Sequence, residues 1–304
     1  MTERSDGQIT VSGLTKVYRK VRAVDDLSFT VAPGRVTGFL GPNGAGKTTT
    51  LRMLLNLVTP TSGTATIGGR HYADLEDPIR AVGAILEASG AHRGRTGRAH
   101  LKMLCYAAGI PASRADDVLN LVGLTPAAKR KFKGYSLGMR QRLGIGAALL
   151  GDPQVLILDE PANGLDPEGI RWMRDLLKGL ADEGRTVLVS SHLLSEMEIL
   201  ADDLVIIAAG KLVRQGTVTD IIDSMGAAQL RVRTPKPDEL IAALDPATVV
   251  RRNEDGALLV SGVDARTLGD RALEARVPLY ELVADKPDLE NVFLQLTAGK
   301  AAIR

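Results

Sequence analysis

The chain has 304 residues and a formal net charge of +2, with 44% hydrophobic and 24% charged residues. That length accommodates about two domains, and the composition excludes a largely disordered chain. The near balance of charge argues against binding to nucleic acid through a general basic field, which needs a strongly basic domain or face, and leaves a local basic patch open.

The N-terminus, MTERSDGQIT, has no apolar leader core. Residues 8–40 read as short strands: QITVSGLTKVY, then AVDDLSFTV, a Pro33-Gly34 turn, and RVTGFLG, a buried-strand signal. A helix is expected from Thr48, then a turn at Pro60 to Gly63 and a strand near TATIGG. Residues 96–150 read as mostly helical, with Thr96 and Ser113 as caps. The only cysteine, Cys105, lies in the apolar stretch LKMLCYAAGI, which excludes an internal disulfide and reads as core in a reducing compartment. YSLGMRQRLGIG opens a helix with Ser136 and Gly138, either as plain capping or as a bare helix N-terminus for an anion.

The apolar run PQVLILDE ends in two acids, the helix EGIRWMRDLLKGLADEG follows, and TVLVSSH is a second apolar strand ending in polar residues. Strands alternating with helices imply a parallel sheet, whose ligands bind outside the carboxyl ends of the strands. From 226 to 304 the order is strand, helix, strand, strand, helix, strand, helix, with Asp255-Gly256 as a hairpin turn. This is the split βαβ pattern of ferredoxin-like domains. It carries eleven Lys and Arg against twelve Asp and Glu, so it is no basic arm. The expected organisation is therefore an α/β domain over 1–225, with a helical subdomain at about 88–150, and an α+β domain over 226–304. No apolar run approaches the roughly 18 residues that span a bilayer, so a soluble chain is expected.

GPNGAGKT, residues 41–48, sits between a strand and a helix, the context a phosphate-binding P-loop requires. A chance match to its spacing arises in about one chain in a hundred at average residue usage, and the context lowers that further. Gly41, Gly44 and Gly46, with Pro42, Asn43, Ala45 and Thr49 around them, let backbone N–H groups curl around phosphate oxygens. Lys47 reaches the terminal phosphates and Thr48 offers its hydroxyl to Mg²⁺. Asp159 and Glu160 end an apolar strand at the same sheet edge, which suits Asp159 to the metal shell and Glu160 to activating water. Solvated acids at a strand end are the competing reading. His192, at the end of TVLVSS, delivers a third polar group to that edge for the γ-phosphate. His71, His92 and His100 lack such a placement.

These motifs, with Asp166 of NGLDP and Ser191-His192, stand in the order found in ATP-binding cassette (ABC) ATPases, and YSLGMRQR falls at that family's signature position. The resemblance covers residues 8 to about 220. It implies a P-loop NTPase fold with a parallel core sheet, an N-terminal antiparallel β subdomain and a helical subdomain. It also implies ATP and Mg²⁺ as cofactors, ATP hydrolysis, and a head-to-tail homodimer sandwiching nucleotide. Ser136 and Gly138 are then a half-site for the ATP held by the partner's P-loop. Tyr18 matches the aromatic that stacks on adenine, and Asp166 matches a loop crossing the dimer interface.

The sequence also departs from the family pattern. Tyr135, Leu137 and Met139 replace three of the five usual signature residues, and Asn163 stands for the usual serine of the interface loop. Glu87 stands where a glutamine usually approaches water and Mg²⁺, which adds negative charge near phosphate. The resemblance further implies a separate integral membrane permease, docking on the helical region between Glu87 and Tyr135 at the cytoplasmic face of the membrane. The basic clusters there, Arg93, Arg95 and Arg98 with Lys129, Arg130, Lys131 and Lys133, face that permease or anionic lipid, or form a solvated surface. A single cassette with this C-terminal extension resembles the ATPase subunits of drug and antibiotic-resistance exporters. The alternative is a non-transport ABC ATPase acting on ribosomes or DNA. One P-loop and no sustained heptads argue against it.

Overall fold

The computed structural model describes residues 7–86, 90–224, 229–253, 255–285 and 288–297. It divides into two compact units, with the break between Val218 and Thr219 and the chain from Phe293 onward grouped with the first. The break falls seven residues before the expected boundary, because the last rung of the first unit's sheet is Thr217, paired with Asp203.

The first unit opens with strands β1 (Ile9–Tyr18), β2 (Val21–Val31) and β3 (Val36–Leu40), helix α1 (Lys47–Leu54) and strand β4 (Ser62–Ile67). Helix α2 (Pro78–Ala81) and strand β5 (Val82–Ile85) lead into the helical region. That region holds α3 (Gly97–Ala107), α4 (Arg114–Leu121) and α5 (Leu137–Ala148). Then come β6 (Val155–Asp159), α6 (Pro167–Asp182), β7 (Thr186–Ser191), α7 (Leu194–Leu200), β8 (Asp203–Ala208) and β9 (Lys211–Thr217). β1, β2 and β4 form an antiparallel sheet in the order β2-β1-β4. The core sheet has the order β5-β6-β7-β3-β8-β9, parallel except for β9.

Every residue of β3, β6 and β7 is buried, so these strands show no alternation. A parallel sheet covered on both faces demands that pattern. Phe29 and Phe39 stack with centroids 5.3 Å apart, joining the two sheets in one core. Thr96 caps α3 by accepting the Ala99 N–H at 3.2 Å. Ser113 precedes α4 but its side chain makes no capping bond, since its own backbone is already helical. Cys105 is fully buried, as its apolar setting requires.

The second unit begins one residue into α8 (Val218–Asp223) and continues with β10 (Gln229–Arg233), α9 (Pro237–Ala243), β11 (Val249–Arg252) and β12 (Leu258–Ser261). It ends with α10 (Ala265–Glu274), β13 (Glu281–Asp285) and the first half of α11 (Leu289–Thr297). Its sheet is antiparallel throughout in the order β11-β12-β10-β13, the arrangement a split βαβ pattern produces. Leu230, Val232, Leu240, Leu258, Val260 and Leu268 form its separate core.

Candidate functional site

Parallel register decides what meets at the site. Leu40, which ends β3, pairs with Ser191 of β7, and Asp159, which ends β6, pairs with Ser190. The loop from β3 into α1 therefore opens beside both neighbouring strand ends. Pro42 through Thr49, Asp159 and Glu160 line a cleft of about 280 Å³, joined by Ala23 of β2.

The loop's shape depends on glycine. Gly46 has φ +103°, and a Cβ there would lie 2.5 Å from the Ala23 carbonyl oxygen. As the residue before α1 it offers no side-chain cap, so the N–H groups of the first turn are left for an anion. Lys47 is buried, and its ammonium donates to the Gly41 carbonyl at 2.6 Å. Burial pushes this lysine below its ordinary pKa, while the negative charges of Glu160 and Asp159 oppose that shift.

The Thr48 hydroxyl donates to Asp159 Oδ2 at 2.7 Å. The other oxygen, Oδ1, accepts from the hydroxyl of Ser190, a fully buried residue. Ser190 Oγ in turn accepts the Glu160 N–H at 3.0 Å, which also reaches the Ser190 carbonyl at 3.2 Å. Glu160 itself stands at φ +51°, a left-handed conformation uncommon outside glycine. Its Oε2 lies 2.6 Å from His192 Nδ1 and accepts the His192 N–H at 3.3 Å. A carboxylate only accepts, so with Glu160 ionised Nδ1 carries the hydrogen. Gln141 of α5 is buried and donates to the Glu160 carbonyl at 3.5 Å. Sequence reasoning singled out neither Ser190 nor Gln141. Ser190 was legible only as the strand residue two before His192.

Tyr18, Ser136, Gly138 and Asp166 are not among the residues that line this cleft. Tyr18 ends β1 opposite Val21, is 45% exposed, has Lys16 Nζ 5.0 Å over its ring, and is not among the cleft-lining residues. Ser136 caps α5, accepting the Met139 N–H at 3.2 Å, and Asp166 caps α6, accepting the Gly169 N–H at 2.8 Å. These two helix starts are neighbours. A Cβ on Gly138 would lie 3.2 Å from the Gly164 carbonyl, and Leu137 covers Gly164 so closely that a Cβ there would fall 2.2 Å from it. Glu87 lies outside the described residues.

The sequence profile of the ABC transporter family matches residues 24–163, and that of a domain of unknown function (DUF8746) matches 228–290. The ABC transporter ATP-binding protein YhcH of Bacillus subtilis, itself uncharacterised, is 39% identical over 95% of both chains. The chain belongs to the ABC transporter ATP-binding proteins. The daunorubicin/doxorubicin resistance ATP-binding protein DrrA of Streptomyces peucetius is 34% identical over 96% of this chain and 93% of its own. The bacitracin transport ATP-binding protein BcrA of Bacillus licheniformis is 47% identical over 68% of this chain and 69% of its own. A solved ATP-binding subunit of an ABC transporter superposes with TM-score 0.65 at 28% identity, over 72% of this chain and 93% of its own. The dimeric bacterial cassette MJ0796 has the same fold, with TM-score 0.64 at 24% identity, over 69% of this chain and 98% of its own. As an ABC cassette the chain binds and hydrolyses ATP. Among the described residues no helix is long and apolar enough to cross a membrane.

Proposed function

We propose that this cassette is the ATP-hydrolysing subunit of an exporter, driving a separate integral membrane permease at the cytoplasmic face of the membrane as a nucleotide-sandwich homodimer. The names of DrrA and BcrA favour a drug or antibiotic as cargo, and the non-transport alternative gains no support from them. The observation that carries the reading is the meeting of P-loop, Thr48–Asp159 and Glu160–His192 at one sheet edge.

In this mechanism the bare N–H groups of the P-loop cradle the phosphates, and the Lys47 ammonium exchanges the Gly41 carbonyl for phosphate oxygens. Burial leaves that charge little water to screen it. The Glu160 carboxylate accepts a proton from the attacking water, and His192 holds the carboxylate in place while facing the γ-phosphate. Thr48 and Asp159 supply a hydroxyl and a carboxylate within 2.7 Å of each other, a donor set that fits Mg²⁺ when phosphate oxygens and water complete the shell. The bound ion would neutralise charge on the phosphates. Glu87 would approach the same water and metal. Ser136 and Gly138 would present the start of α5 to the partner's ATP. Capping by Ser136 uses one of its N–H groups and leaves others free. Asp166, at the adjoining helix start, would couple the two sites. Tyr18 would stack on adenine.

Glu160→Gln tests this directly. It should lower turnover by about 10² to 10⁴, the usual worth of general-base catalysis, while retaining ATP and eluting as a dimer from size-exclusion chromatography with ATP and Mg²⁺. A monomer under saturating nucleotide refutes the sandwich. The same variant, tagged and recovered from gently solubilised native membranes, should carry a polytopic membrane protein with it. Recovery of ribosomal or DNA-associated proteins alone refutes transport and leaves the ATPase intact.

A further inference from the structure

Two stretches of the helical region, 93–98 and 129–134, are stitched together by their backbones. Phe132 N–H donates to Arg95 O at 2.8 Å, Lys133 N–H to Arg93 O at 3.0 Å, and Arg98 N–H to Ala128 O at 2.9 Å, with an antiparallel bridge between Thr96 and Lys131. The stitching gathers Arg93, Arg95, Arg98, Lys129, Arg130, Lys131 and Lys133 in one place, and neither stretch contains an acid. Among the described residues the one ion pair to this group is Arg98 to Asp116, at 2.6 Å. Arg93, Lys129, Arg130, Lys131 and Lys133 are exposed. In a chain whose net charge is +2, this is a local concentration of charge.

An apolar stripe borders it. On α3, Ala99, Met103, Tyr106 and Ala107 are exposed at helical spacing, with Tyr106 73% exposed. Arg95 Nη1 lies 2.8 Å from Met103 Sδ, which makes patch and stripe one continuous surface.

We infer that this surface lies on anionic lipid. Lysines without fixed partners suit the diffuse field of many headgroups, and Tyr106 with Met103 suits the boundary between headgroups and acyl chains. A nucleic acid would engage the cations and could stack a base on Tyr106, but would leave Met103, Ala99 and Ala107 in water. The inference rests on the permease reading only in that a permease brings the chain to a membrane; the contact itself belongs to this chain.

The test is co-sedimentation of the purified chain with vesicles of phosphatidylcholine alone and of phosphatidylcholine mixed with phosphatidylglycerol. Binding to the mixed vesicles alone is expected, with release at high salt, where screening shortens to about 3 Å at 1 M. Each basic residue near such a surface is worth about fivefold in affinity. Replacing Lys129, Arg130, Lys131 and Lys133 together by Gln should therefore weaken binding several-hundred-fold, with ATP binding unchanged as the check on folding. Tyr106→Ser should weaken binding to the mixed vesicles by a factor that salt does not alter. Absence of vesicle binding, equal binding to both vesicles, or an unaffected four-residue variant overturns the inference. So does binding to single-stranded RNA without binding to vesicles, or loss of the co-purified membrane protein by the variant when the wild-type chain ignores vesicles. None of these outcomes alters the ATPase or dimer results for Glu160→Gln, so the two readings fail separately.

Discussion

Ser190→Ala removes one oxygen from the centre of the site. Its hydroxyl donates to Asp159 Oδ1 and accepts the Glu160 N–H. The N–H retains the Ser190 carbonyl at 3.2 Å, and Asp159 Oδ2 retains Thr48. The uncompensated loss is thus one hydrogen bond to a buried carboxylate, worth about 1.5–3 kcal/mol. The single tryptophan, Trp172, lies on α6 with the Arg142 guanidinium 4.1 Å over its ring, so its emission during urea unfolding follows the first unit alone. That separation matters, because two units need not unfold as one transition. Thr48→Val removes the donor to the other oxygen of the same carboxylate, so the two substitutions should be non-additive by about 0.5–3 kcal/mol, as for groups sharing a partner. A loss under about 0.5 kcal/mol for Ser190→Ala, within the range of an ordinary surface substitution, would refute the reasoning, as would strict additivity with Thr48→Val.

If Lys47 binds phosphate as proposed, ATP affinity should depend on pH. Burial lowers its pKa in the free chain and bound phosphates favour the ammonium, so affinity should fall as pH rises through the lowered value, by up to about tenfold per pH unit until the bound-state pKa is reached. Calorimetry in buffers of different ionisation enthalpy should register proton uptake in that window, and a flat profile up to the ordinary lysine range contradicts it. Gly46→Ala places a methyl 2.5 Å from the Ala23 carbonyl at φ +103°. It should abolish nucleotide binding while unfolding by Trp172 emission stays cooperative, whereas intact binding would mean that the loop has room to shift.

What the sequence made legible were features carried by adjacent residues. The P-loop, the Asp159-Glu160 pair and the strand ends announce themselves within eight residues or fewer, because local spacing is itself the chemistry. The ferredoxin-like order of the second unit was legible for a related reason, since its elements alternate cleanly between periods. Ser190 was not, because its role arises from the register of β6 against β7, a pairing across more than thirty residues that no local pattern encodes. The strands β8 and β9 were passed over too, although DLVIIA is a short apolar run of the buried-strand kind. Ser136 shows a different limit. Capping and anion binding call for the same residue at the same place, and the bond to Met139 N–H answers only the first requirement.

The left-handed backbone at Glu160 sets a trade between durability and work. A non-glycine residue in that conformation costs on the order of 1–3 kcal/mol, and glycine would relieve it at once. Glycine would also remove the carboxylate that His192 holds. Any programme that selected this cassette for heat resistance alone would therefore be drawn toward position 160 and, under the proposed mechanism, would gain a sturdier protein that binds fuel without burning it.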